Sequence, residues 1–271
     1  MSFLALSSSS SGMSALNTRL DVIANNIANA ETTGFKGSRA NFQDLYYIEK
    51  KQPGVESQIL GTRSPLGLFV GLGVETAGTH LDFGQGDAIP TGRPLDIMIE
   101  GDGFLRVEMG DLSPTGVGYT RAGNLTTNAD GDLVMANGAG YRLEPAINIP
   151  FGATNVTIGQ DGTVSYQDPA STDPVIAGQI ELSVFLNPAG LQSFGDNLYL
   201  ETAGSGPPQD GVPGDPGIGR NEIRAGFLEG SNVDAVTELV DLIRTQRAFE
   251  MNSQSFSAAD ETLQTVVNLG R

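Results

Sequence analysis

The sequence predicts an α+β protein: long N- and C-terminal helices pairing as a coiled coil, an inserted all-β middle domain, and an extended connecting segment. Three observations predict it. Apolar residues return every three and four positions at both chain ends. Between them the apolar period shortens to two. Turn formers are dense, with 36 Gly and 14 Pro in 271 residues, as short strands require. The expected organisation is a helical domain from 1–30 with 232–271, a partly β connecting segment at 31–79, a β-rich domain at 80–222 and a return connector at 223–231.

The first helix is expected over residues 3–30. Leu6, Met13, Leu20 and Ile27 recur every seven residues, with Leu16 and Ile23 between them, so one narrow stripe runs along the helix. The remaining face carries Ser7 to Ser11, Asn17, Asn25, Asn26 and Asn29, all weak helix formers, and Gly34 is the expected stop. Such a helix is marginal alone.

Strands follow. Leu95–Glu100 and Phe104–Glu108 read as a hairpin across Gly101-Asp102-Gly103, with Asp96, Met98 and Glu100 on a solvated face. Leu125–Thr127 and Leu133–Met135 flank the turn Asn128–Gly131. Val156–Ile158 and Thr163–Tyr166 form the cleanest hairpin, with Asp161-Gly162 at its turn, and Ile180–Phe185 is another strand. Ser205–Gly219, rich in Pro and Gly, is expected to be a surface loop.

The last helix is expected over 235–268, capped by Asn232 or Asp234. Val236, Leu239, Val240 and Ile243 open its stripe. Leu242, Phe249, Phe256 and Leu263 form a strict seven-residue series, and Gln246, Ser253 and Asp260 are its expected polar companions. Both stripes are too narrow to satisfy themselves fully, so their remaining apolar edges are expected to be covered by other copies of the chain.

Charge and composition exclude much chemistry. Thirty-two acidic against 15 basic residues give a net charge of −17, which disfavours nucleic acid and anionic membrane. Residues 143–219 hold no Lys or Arg at all. There is no Cys, and His80 is the single histidine, so thiol chemistry and His-cluster metal sites have no ligands. Asn128–Asp132 lacks the partners of a calcium loop, with Thr126 and Asn137 where acids belong. Paired carboxylates among Asp82, Asp87, Asp96, Glu100 and Asp102 leave a glycosidase or carbohydrate-binding β-domain as a distant alternative. No cofactor, metal or catalytic residue is assigned. No apolar run reaches the length of a membrane span, and the start lacks a cleavable signal pattern.

The ends carry a resemblance. Leu20-Asp21-Val22-Ile23-Ala24-Asn25-Asn26-Ile27-Ala28-Asn29-Ala30-Glu31-Thr32-Thr33-Gly34-Phe35-Lys36 resembles the N-terminal signature of bacterial flagellar rod and hook proteins. Glu229-Gly230-Ser231-Asn232-Val233, continuing to Glu238–Ile243 and Gln246–Asn252, resembles their C-terminal signature. Tyr119-Thr120-Arg121, Pro145–Pro150, Ile158–Gly162 and Asn197–Thr202 are similar to blocks of the distal-rod branch.

The resemblance implies a structural subunit rather than an enzyme: a helical, heterologous homopolymer forming the rigid hollow shaft that transmits torque from motor to hook. A proximal rod or hook subunit is the alternative within the family. Implied partners are proximal rod proteins below, the hook protein above, the surrounding L-ring and P-ring, and the flagellar export apparatus. The implied place is the basal body, across the periplasm to the outer membrane, reached without signal cleavage. Taken with the stripes, it implies an assembly surface of Leu6, Met13, Leu16, Leu20, Ile23, Asn26 and Ile27 on the first helix. On the last helix it implies Val236, Leu239, Leu242, Ile243, Gln246, Arg247, Phe249, Asn252, Phe256, Leu263 and Val267. Gln52, Pro53, Gly54, Pro65 and Gly73 mark a segment similar to the one associated with a straight rod.

Overall fold

A computed structural model describes residues 2–53, 66–169 and 173–269. The chain divides into two compact units: residues 1–28, 38–80 and 234–271 form unit 1, and residues 29–37 and 81–233 form unit 2.

Unit 1 holds the helices α1 (Ser2–Ala28) and α2 (Ala235–Leu269) and the strands β1 (Ser38–Asp44), β2 (Tyr47–Lys51), β3 (Leu68–Gly71) and β4 (Val74–Leu81). Strand β1 pairs with β4, and β2 pairs antiparallel with β3 in the register Tyr47↔Gly71 and Glu49↔Phe69. Helix α1 ends at Ala28, two residues short of the expected end at residue 30. The asparagine-rich end gives way to turns in which Asn29 and Thr32 carbonyls accept the N–H groups of Thr32 and Phe35. Gly34, at φ +72°, shapes the second turn, and its Cα lies so near the Ala122 backbone that a Cβ would sit 2.8 Å from it. Asp234 caps α2: its Oδ1 accepts from Val236 N at 2.9 Å and its Oδ2 from the Thr237 hydroxyl at 2.8 Å. Asn232, the other expected cap, is engaged elsewhere in unit 2.

Unit 2 carries β5 (Ala88–Pro90), β6 (Ile97–Glu100), β7 (Phe104–Glu108), β8 (Val117–Thr120), β9 (Leu125–Thr127), β10 (Leu133–Met135) and β11 (Arg142–Glu144). It continues with β12 (Thr154–Ile158), β13 (Thr163–Gln167), β14 (Pro174–Gln179), β15 (Leu182–Val184), β16 (Gln192–Gly195), β17 (Leu198–Leu200), β18 (Gln209–Gly211), β19 (Glu222–Ala225) and β20 (Phe227–Glu229). The main sheet runs β16-β17-β8-β7-β11-β10-β9. One edge of β7 is shared, its first residues pairing with β15 and its later ones with β11. The β9–β10 and β12–β13 hairpins form as the sequence predicts, Leu133↔Thr127 and Thr157↔Ser165 being in register.

Three expectations fail. Strands β6 and β7 are not a hairpin: β6 pairs with β19, Ile99 opposite Ile223. The Gly101-Asp102-Gly103 turn docks instead on Asn221, whose Oδ1 accepts from Asp102 N at 2.7 Å, and this parts the two strands. Nor is there a solvated face, because Asp96, Ile97, Met98 and Ile99 are all buried. A strand covered on both sides loses the alternation that the reading relied on. The Ser205–Gly219 stretch is also more than loop. It contains β18, paired with β15, and buries Ile218, which fits because Gly211 offers no side chain against it.

Unit 2 has the molecule's main apolar core, with Ile97, Leu105, Leu125, Leu133, Leu143, Ile180, Leu182 and Ile223 fully enclosed. An aromatic cluster lies on its other side. Phe83, Phe104, Tyr119, Phe185 and Tyr199 meet edge to face, with Tyr119 and Phe185 centroids 4.7 Å apart.

Candidate assembly surface

Helices α1 and α2 run antiparallel. Gly12 faces the Asn252 amide, Arg19 pairs with Asp241 at 3.6 Å, and Asn26 donates to Glu238 Oε1 at 3.0 Å. Gly12, Arg19 and Asn26 are spaced by seven, but one residue before Met13, Leu20 and Ile27. Thus small and polar side chains mark the line of closest approach, while Leu6, Met13, Leu16, Leu20 and Ile27 stay half-buried; Ile23 is buried.

Asn26 is saturated within its own chain. Its amide donates to Ser38 O at 2.8 Å as well as to Glu238, and its carbonyl accepts from Ser38 N at 3.0 Å. The serine run does not simply face solvent: Ser11 Oγ accepts from Val74 N at 3.2 Å, where β4 begins. Gly73 lies against Ser8 and Ser11, and a Cβ there would run into the Ser11 hydroxyl. Small helix residues let that backbone approach.

On α2 the companions of Leu242, Phe249 and Leu263 are corrected by one residue. Thr245 is buried and Asn252 and Ala259 are half-buried, whereas Gln246, Ser253 and Asp260 are exposed. The spacing is therefore three then four, the order that keeps a contact line straight along a helix. Arg247, Phe256 and Val267 are exposed as well.

A second α2 stripe lies open. Val236, Leu239, Val240 and Ile243 are 69, 48, 42 and 48% exposed, and Val266, Val267 and Leu269 continue the exposure at the far end. The β2–β3 ribbon is equally bare, with Tyr46, Tyr47, Ile48, Leu66, Leu68 and Phe69 all exposed. Two strands do not bury enough to stand alone in water. Gln52 and Pro53 follow β2; Gly54 and Pro65 lie outside the described residues.

Sequence reasoning missed a buried polar hub in unit 2. Lys36 Nζ donates to Glu229 Oε1 at 2.6 Å and to Gly84 O at 2.8 Å. The same carboxylate oxygen accepts from Gly86 N at 3.0 Å, and Arg121 approaches Oε2 at 3.6 Å. All three charged side chains are almost wholly enclosed. Burial pulls the Lys36 ammonium below its usual range, against the opposing hydrogen bond and charge of Glu229. The Arg121 guanidinium is lowered for the same first cause and stacks 5.0 Å over the Phe104 ring. Asn232 binds alongside: Oδ1 accepts from Gly37 N, and Nδ2 donates to Asp82 O, each at 2.8 Å. The available signal was that Lys36 and Glu229 are charged residues inside otherwise Gly-rich, turn-like segments.

The basic-free stretch finds its counter-charge elsewhere in unit 2. Arg106 gathers Glu144 at 2.7 Å, Asp210 at 2.9 Å and Glu181 at 3.5 Å. His80 is an exposed β4 residue. The Asn128–Asp132 turn closes on itself, Asn128 Oδ1 accepting from Asp130 N and Asp132 N. Among the described residues, no acidic or histidine group is arranged to hold a metal ion, and no helix is long and apolar enough to cross a membrane.

Comparison with known proteins matches three families along the chain. Residues 6–36 match the one described as "Flagella basal body rod protein", residues 98–166 "Flagellar hook protein FlgE/F/G D1 domain", and residues 224–269 "Flagellar basal body rod FlgEFG protein C-terminal". The flagellar basal-body rod protein FlgG of Agrobacterium fabrum is 44% identical, with 95% of each chain covered. Its namesake in Caulobacter vibrioides is 43% identical over 98% of each. That of Bacillus subtilis is 40% identical over 98% of this chain and 99% of its own.

Proposed function

The chain belongs to the flagellar basal-body rod protein family, and from that premise we propose that it is the subunit of the distal rod, polymerising into a stiff hollow drive shaft. It is a structural protein of the basal body, not an enzyme. It assembles with its own copies and with neighbouring rod and hook proteins, as family membership supports.

One observation carries the polymer reading: unit 1 leaves a continuous apolar stripe of α2 (Val236, Leu239, Val240, Ile243) and the β2–β3 ribbon open, whereas the exposed apolar side chains of unit 2, among them Ile89, Leu112, Phe151, Ile176 and Leu186, lie on separate strands and loops around a closed core. A surface of that kind, on a chain whose relatives are rod proteins, fits burial against further copies. The contact must be heterologous, because a self-complementary patch closes into a dimer and cannot elongate. In this reading α1 and α2 form a coiled-coil domain of residues 1–30 and 232–271 in the shaft wall, and residues 80–222 face outward. Segments 31–79 and 223–231 connect them. Half-buried Leu6, Met13, Leu16 and Leu20 and exposed Val236, Leu239 and Ile243 meet the next copies, and the segment from Gln52 to Gly73 stiffens the array. The rod stands in the periplasm within the P-ring and L-ring, and the chain arrives through the flagellar export apparatus with its N-terminus uncleaved.

Electron microscopy of concentrated pure protein tests this. Straight tubes are expected. Curved tubes would shift the reading to a hook subunit, and a monodisperse monomer at every concentration would sink it.

A further inference from the structure

The hub around Lys36 and Glu229 occupies a special place in the chain. The backbone passes between the units at 28/29, 37/38, 80/81 and 233/234. The unit 2 segments bearing these crossings, residues 29–37, 81–87 and 226–233, are bonded to one another pairwise. The first and second join through Lys36 to Gly84 O at 2.8 Å and through Asp82 N to Gly37 O at 2.8 Å. Segments one and three join through the Lys36–Glu229 pair and through Gly34 N to Glu229 O at 2.8 Å. Between the second and third, Gly86 N reaches Glu229 Oε1, Asn232 Nδ2 reaches Asp82 O, and Gly230 N reaches Asp87 O at 2.8 Å.

Stability alone does not account for this chemistry. A buried ion pair is roughly matched by apolar residues of the same volume. What the charged network adds is direction. Charge-assisted hydrogen bonds fix distance and angle, whereas apolar contacts are non-directional and let segments slide. At the Lys36–Glu229 bond, where both side chains are enclosed, no solvent molecule can replace a bond that stretches.

We propose that the Lys36–Glu229–Asn232 hub is a load-bearing joint, through which force entering unit 2 along any of its chain connections is shared among all of them. The proposal rests on the shaft reading, since only a subunit under torque needs such a joint. Arg121 adds an electrostatic contact, its guanidinium lying 3.6 Å from Glu229 Oε2.

Single-molecule pulling on the full chain tests it. The absence of Cys allows Glu31→Cys and Val233→Cys, both in unit 2, to serve as unique handles, so that force is applied directly between the first and third segments. The triple variant Lys36→Met/Arg121→Met/Glu229→Leu leaves Gly86 N unpaired, so it is compared with an apolar core variant of equal Tm, against which its lifetime under constant force should be about tenfold or more shorter. Asn232→Ala should shorten it too, and decides the matter if the triple variant fails to fold. Arg106→Met, which breaks an ion cluster away from the crossings, should leave the lifetime unchanged. Wild-type lifetimes for both hub variants, or equal shortening by Arg106→Met, would overturn the joint. The shaft reading has a separate check: the wild-type chain should restore straight rods to a bacterium lacking its own distal-rod subunit. Failure there would remove the role and leave the mechanical result standing.

Discussion

Replacing Leu239 and Ile243 together by Asp should abolish polymerisation while leaving both units folded. The two residues sit in the open stripe of α2 with Val236 and Val240, at 48 and 48% exposure against 69 and 42%. The stripe leaves about two whole aliphatic side chains' worth of surface in water, so covering it contributes roughly 3–6 kcal/mol per contact. That is about a thousandfold in association constant, before the cost of desolvating two carboxylates is added. The critical concentration, read from the pelletable fraction against total protein, should therefore rise by about a thousandfold or more. Because both positions face away from the line of contact with α1, far-UV circular dichroism should match wild type. Leu20→Asp and Phe249→Asp are less clean, since both side chains are half-buried within the chain. A Leu239→Asp/Ile243→Asp protein polymerising at the wild-type critical concentration would refute the reasoning.

Gly123→Ala should cost unit 2 more than about 3 kcal/mol, because the new Cβ would overlap the Ile97 carbonyl in the core; urea denaturation measures it. Asp234→Ala should lower the helicity of α2 by fraying its first turn, at a cost of about 1 kcal/mol. Hydrogen bonds to the Thr237 side chain, the Thr163 side chain and the Asn148 amide hold the Asp234, Asp161 and Asp132 carboxylates below their ordinary 3.8. Their folded values are depressed, so their contribution is present above pH 3.8 and lost as pH falls through the folded values; replacing all three by Asn should flatten the acid limb of a Tm–pH curve. Burial pushes Tyr119 and Tyr199 up to about 12, so the stability they contribute is complete below pH 10 and lost as pH rises through 12; ultraviolet titration should lose its late component in Tyr119→Phe/Tyr199→Phe.

Much of this was legible in the chain. Both helices announced themselves by seven-residue recurrences, and α2 was placed to within a residue at each end. Local turns were legible where a single residue type dictates geometry, as at Asp161-Gly162. Pairing was not. Whether β6 meets β7 or β19 depends on which surface the intervening turn docks against, and Asn221 lies far along the chain from Asp102. The helix seam was misread by one residue for a related reason. Periodicity finds the apolar line, but the line of closest approach follows the residues small enough to permit it, Gly12, Thr245 and their neighbours.

By itself the sequence determined the class of the protein, the length and place of its helices, and the absence of thiol or clustered-histidine chemistry. These are sums over local preference and composition, and need no long-range contact. Only the tertiary structure decided that Lys36, Arg121 and Glu229 are buried together, although 85 and 108 residues separate successive members. A charge in a turn-like segment reads as solvated until its surroundings are known, because burial is a property of everything packed around a residue and not of the residue itself.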